Sequence, residues 1–136
     1  MDIRDVTKLF DLEYYDGPLL SLFADVNGDF YLYKWYDMAP NAHQWLVWRV
    51  QYETLLRYLN GMATEFDLLH EDINEPFYLV EFSEKGQPVV VGILAHSHTL
   101  ETYSELKTVY FDPELCPNWK AVRHFFRLKP IELEAA

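Results

Sequence analysis

Leu19-Leu-Ser-Leu-Phe-Ala-Asp-Val-Asn-Gly-Asp-Phe-Tyr-Leu-Tyr-Lys-Trp-Tyr36, with Trp45-Leu-Val-Trp-Arg-Val50 after it, is the stretch whose reading decides the fold. β-Rich runs flank Asn27-Gly28, a dipeptide that tolerates positive φ at both centres of a type I′ turn. The stretch therefore predicts three antiparallel strands, about Leu19 to Asp25, Asp29 to Tyr36 and Gln44 to Val50. Strand alternation puts Phe30, Leu32 and Lys34 on one face of the middle strand and Tyr31, Tyr33 and Trp35 on the other. In the third strand Trp45, Val47 and Arg49 oppose Leu46, Trp48 and Val50. Both faces of the middle strand carry large apolar bodies, which marks a central strand. Two arrangements are open: helices cover one face and the other displays tyrosine and tryptophan among aspartates, or both faces are covered.

Outward from this unit the period changes. Tyr52, Leu55, Leu56 and Leu59 follow helical spacing, and Asn60-Gly61 stops the helix. Thr64 is an N-cap for a second helix reaching Glu71, with Asp67 three residues on where glutamate would complete a capping box. Phe77 to Phe82 and Gln87 to Ala95 predict another hairpin, turned through Ser83 to Gly86. Leu100 to Val109 fits either helix or strand and is read in favour of a short helix with an irregular approach, and Val122, Phe125 and Phe126 mark a last helix. Upstream, Glu13 to Pro18 is a turn, and Met1 to Leu12 is read as a charged lead-in with at most one helical turn. The expected fold is α+β, a single domain over residues 1–136. Its antiparallel sheet is an N-terminal three-stranded meander plus a second hairpin, with helices packed on one face.

The 136 residues suffice to bury a core, and 50% apolar with 17% aromatic content argues for a folded globule. Eleven basic residues against twenty-two acidic ones give a net charge of −11. That field repels phosphate backbones, so direct nucleic-acid binding is not expected; a basic partner, a cation or solubility is what such charge serves. Cys116 is the only cysteine, so no internal disulfide forms. Met1-Asp-Ile-Arg-Asp5 lacks the pattern of a signal peptide, and no apolar run approaches the ~20 residues of a membrane span. A cytoplasmic protein with no membrane partner and no cofactor is expected.

Motifs for chemistry are sparse. Asp25-Val-Asn-Gly-Asp29 begins like a calcium loop, but Phe30 stands where the loop needs glycine and Tyr36 where it needs an acid. The hairpin turn accounts for the same residues. His96-Ser97-His98 places two imidazoles on one strand face, with Glu101 nearby and His70, Glu71 or Asp72 within possible approach, the donor types that hold zinc or iron. Cys116, with His124 the nearest base in sequence, sits in acidic and apolar surroundings that disfavour a thiolate. The carboxylate pairs Glu71-Asp72, Glu13 with Asp16, and Asp112 with Glu114 have the look of solvated turns. There is no phosphate loop, nucleophile elbow or Rossmann glycine pattern.

The first half resembles a family of short bacterial proteins grouped as a domain of unknown function. The likeness rests on Tyr15-Asp-Gly-Pro-Leu-Leu20, Gly28-Asp-Phe-Tyr-Leu32 with Trp35, Trp45-Leu46, the helix ending Leu59-Asn-Gly61, and Thr64 to Leu69. It spans Tyr14 to Leu69 and implies a small intracellular α+β fold without implying an activity. The residues themselves favour a non-enzymatic accessory or immunity-type module. It would dock a partner protein, a basic one by charge, through Tyr31, Tyr33, Trp35, Tyr36, Asp37 and Trp45. The alternatives are a nucleic-acid mimic and a metal-dependent enzyme using His96 and His98. An open sheet edge also permits pairing with a second copy.

Overall fold

The computed structural model describes residues 5–36, 43–70, 76–95 and 103–128. Six strands form one antiparallel sheet in sequence order: β1 (Thr7–Tyr14), β2 (Pro18–Ala24), β3 (Phe30–Trp35), β4 (Trp45–Val50), β5 (Phe77–Phe82) and β6 (Pro88–Leu94). Helices α1 (Tyr52–Leu59) and α2 (Glu65–His70) lie between β4 and β5. Two 3₁₀ turns, Ser104–Thr108 and Pro113–Leu115, precede α3 (Trp119–Phe126). The α+β class holds. No helix among the described residues is long and apolar enough to cross a membrane.

One expectation fails at the start of the chain. The lead-in is strand β1, so the sheet is one six-stranded meander rather than a three-stranded meander with a separate hairpin. Register shifts between Lys8 and Phe10, and again between Asp11 and Glu13, explain why alternation did not reveal it. Each bulge resets the two-residue period. Leu9, Phe10 and Leu12 consequently all meet the same core, which a regular strand forbids.

The Asp25 to Asp29 turn also differs in type. Only Gly28 takes a positive φ, 84°, while Asn27 does not. Gly28 N–H donates to Asp25 O at 3.2 Å and Asp25 N–H to Asp29 O at 3.0 Å. This is a type I turn followed by a glycine bulge, a three-residue loop. Asp25 Oδ1 accepts from the N–H groups of Asn27 and Asp29, both at 2.9 Å, and so selects this turn over the primed one. Desolvation pushes the Asp25 carboxyl upward, but those two backbone donors, the Tyr31 hydroxyl and the Arg49 charge outweigh it and hold the group below its ordinary value.

One face of the sheet carries the main core. Leu22, Leu32 and Trp48 form one cross-strand row; Leu20, Lys34, Leu46 and Leu79 form the next. Leu55, Tyr58 and Leu59 of α1, Leu68 and Leu69 of α2, and Val122 and Phe126 of α3 pack into the same cluster. The second helix is capped as its sequence suggested. Asp67 N–H donates to Thr64 Oγ1 at 3.2 Å, and Thr64 N–H to Asp67 Oδ2 at 2.8 Å, a capping box closed by aspartate. Trp48 then ties α2 to the sheet, its Nε1 donating to Leu68 O at 2.8 Å.

Candidate functional site

The opposite sheet face has its own small core: Tyr31, Tyr33, Val47 and Val80, with Val6, Phe23, Trp45 and Tyr78 packed around them. No residue of the described helices belongs to this cluster. The register explains the grouping, since Ser21 faces Tyr33, Tyr33 faces Val47, and Val47 faces Tyr78 across successive strands. The side chains bury one another. The Tyr33 ring stacks on Phe23 at 4.0 Å and on Phe82 at 5.9 Å. Phe82 sits two strands from Tyr33, where backbones stand about 9–10 Å apart. Its ring therefore leans over β4, and the residues around it enclose a groove.

Lys8, Pro18, Ser21, Phe23, Tyr33, Trp45 and Phe82 line this groove, which has a volume of about 330 Å³. Its walls are apolar. One rim is polar: Lys8 Nζ lies 2.6 Å from Asp11 Oδ1, which also accepts from Ser21 Oγ at 2.6 Å. The Tyr33 hydroxyl is buried and finds no hydrogen-bond partner among the described residues. Desolvation and neighbouring Tyr31 raise its ionisation well above the ordinary tyrosine value, so it is a neutral donor throughout the physiological range. Tyr31 is pushed to about 12, by desolvation first and then by Asp25 and Asp29, and its hydroxyl donates to Asp25 Oδ2 at 3.2 Å.

The residues expected to dock a partner separate in the structure. Tyr31 and Tyr33 are 5% and 1% exposed, so they form the floor of the face rather than its displayed surface. Trp35 is exposed and Trp45 half-buried, and they face each other across β3 and β4. Tyr36 is not with them, because it packs into the helix-side core. Asp37, His96 and His98 lie outside the described residues, as do Glu71 and Asp72. Among the described residues no group of three His, Cys, Asp or Glu side chains is placed to hold a metal. Cys116 is buried, its thiol raised by desolvation despite a backbone hydrogen bond from Asn118. Sequence reasoning missed Pro18, Phe23, Phe82 and Lys8. The alternation of Tyr78, Val80 and Phe82 could have placed Phe82 on one face of β5, but only the register brings that face beside Tyr33.

A second polar cluster lies under the helices. Lys34 Nζ is 2.6 Å from Glu65 Oε1, with side chains 16% and 2% exposed. The Lys34 ammonium also stands 5.8 Å from the centre of the Tyr103 ring. Burial raises the ionisation of Glu13, and the Glu65 and Asp112 charges add to this, against the opposing pull of Lys34. A raised carboxyl favours folding below its ordinary value of 4.5 and loses that contribution as pH climbs through the shifted value. Glu13→Gln is therefore expected to raise the urea midpoint at pH 7 and to leave no advantage below pH 4.5, the ordinary value. An equal gain at both pH values would show that shape, not charge, governs this position.

Compared with protein-family models, curated proteins and solved structures, the chain matches none, and the likeness of Tyr14 to Leu69 to a bacterial family has no matching family model behind it.

Proposed function

We propose that this protein is a non-enzymatic binding module. It docks a basic partner protein through the aromatic groove on the sheet face opposite the described helices, which receives one large apolar side chain of that partner. The observation that carries this reading is the Tyr33 hydroxyl, a buried donor without a described partner on the floor of an apolar groove. Leaving such a group unsatisfied costs about 1–3 kcal/mol. A partner's carbonyl or carboxylate oxygen supplies the missing acceptor once the exposed Phe82 ring, which stacks over Tyr33, moves aside. Aromatic anchors around a desolvated pocket are the usual centre of interface energy. The net charge of −11 selects a basic partner and speeds its approach.

The test is capture of a partner by immobilised wild-type protein, followed by association rates for single variants. Phe82→Ala and Trp45→Ala are expected to weaken binding at least about tenfold, the size of a hot-spot loss, with unchanged far-UV circular dichroism. Tyr33→Phe is expected to stabilise the free protein by about 1 kcal/mol while weakening the complex. Association should slow as salt rises. Variants that bind as wild type does would remove the groove from the interface.

A further inference from the structure

The basic residues of this acidic chain are unevenly placed. From Cys116 to Leu128 there is no aspartate or glutamate, while Lys120, Arg123, His124 and Arg127 follow one another at i, i+3, i+4 and i+7. That spacing puts Lys120, Arg123 and His124 on one side of α3, over roughly 6 Å of its axis, and Arg127 follows one residue past the helix end. The opposite side buries Val122 and Phe126. These four side chains and Leu128 line a single open groove of about 560 Å³. Lys120, His124 and Arg127 make no ion pair or side-chain hydrogen bond with another described residue.

The helix end makes the case sharper. Leu128 N–H donates to Arg123 O at 2.9 Å and Arg127 N–H to His124 O at 3.2 Å, a Schellman ending. The first helix ends the same way, with Met62 N–H on Arg57 O at 2.7 Å and Gly61 N–H on Tyr58 O at 3.0 Å. There the left-handed position is filled by glycine, φ 74°; in α3 it is filled by Arg127, φ 55°. A side chain in that conformation is disfavoured where glycine is not. Cations within the last turn are explained by the helix dipole. The same carbonyl end also favours the charge of Arg127, one residue past that turn, which nevertheless takes a conformation that a glycine would take at lower cost.

We propose that the cationic face of α3 binds a compact phosphate-bearing ligand, a phosphate monoester or diphosphate group, between Lys120, His124 and Arg127. Arginine offers a planar fork that meets two phosphate oxygens at once, and lysine adds a point charge. The ligand is compact because Asp112 and Glu114 stand just before the helix, and the charge of the whole chain is −11. A polyanion extending more than the Debye length, about 8 Å in physiological salt, would meet that repulsion.

The test is a titration of the ¹⁵N-labelled full chain with sodium pyrophosphate at constant ionic strength, followed by NMR. Saturating shifts confined to the amides of residues 120–128 are expected. Arg127→Gly should raise the melting temperature by about 3 °C and weaken pyrophosphate about tenfold. Arg127→Gln and Lys120→Gln should weaken it comparably without the thermal gain, and Lys85→Gln, on the distant β5–β6 turn, should bind as wild type does. The proposal is overturned by shifts that never saturate, by Gln variants that bind normally, or by equal weakening in Lys85→Gln. It is equally overturned if a single-stranded oligonucleotide saturates the same amides at lower concentration than pyrophosphate.

Discussion

Lys34→Met is expected to destabilise the protein by about 3–5 kcal/mol, because it leaves a buried carboxylate without its counter-charge. Glu65 is 2% exposed, and Lys34 is its cation at 2.6 Å. Register places Lys34 between Leu20 and Leu46 on the helix-side face, where methionine fits in volume but brings no charge. Glu13, already raised by burial and by Glu65, would lose the one neighbour that pulls it down. The second half of the experiment separates the pair from the fold. Lys34→Met with Glu65→Leu should recover most of the loss, since well-packed apolar replacements of a buried ion pair are often neutral or stabilising. Urea denaturation of the three proteins at pH 7 measures this. A single variant within about 1 kcal/mol of wild type, the range of a surface pair, would mean that water reaches Glu65.

Trp48→Ala is expected to cost a similar amount, about 3–5 kcal/mol, for a different reason. Trp48 is 3% exposed, faces Leu32 in the register and meets the Phe77 ring edge-on at 5.8 Å. Alanine would open a cavity between β4 and α2. It would also strip Leu68 O of its indole donor at 2.8 Å. Trp48→Phe keeps most of the volume and removes the donor, so it should cost about 1–3 kcal/mol, the penalty of an unmet buried carbonyl. Hydrogen exchange adds a local reading. Amides of α2 should lose protection in Trp48→Phe before those of β2 and β3 do, since Trp48 fastens that helix to the sheet. Uniform loss across the sheet would place the hydrogen bond's contribution in global stability instead.

Much of the secondary structure was legible because local chemistry specifies it. Glycine at 28, 61 and 86 takes positive φ at turns and a helix end that the sequence had marked. Thr64 and Asp67 cap α2 from within four residues of each other. The two periods, of two and of 3.6, separated β2 to β4 from α1 and placed Tyr31 and Tyr33 opposite Leu32 and Lys34. The same logic failed where local rules are overridden. Two bulges scrambled the alternation of β1, and Asp25 redirected a turn that Asn27-Gly28 alone would have made differently.

The sequence by itself therefore determined the class of the fold, most of its strands and helices, and the gathering of aromatic residues on a three-stranded unit. Only the tertiary structure decided which of those aromatics are floor and which are wall. It also paired Lys34 with Glu65, brought Phe82 over Tyr33, and gave Arg127 a conformation suited to glycine. The physical reason is range. Turns, caps and periodicity act within a few residues, whereas burial, ion pairing across 31 residues and groove walls from separate strands depend on the register of the whole sheet.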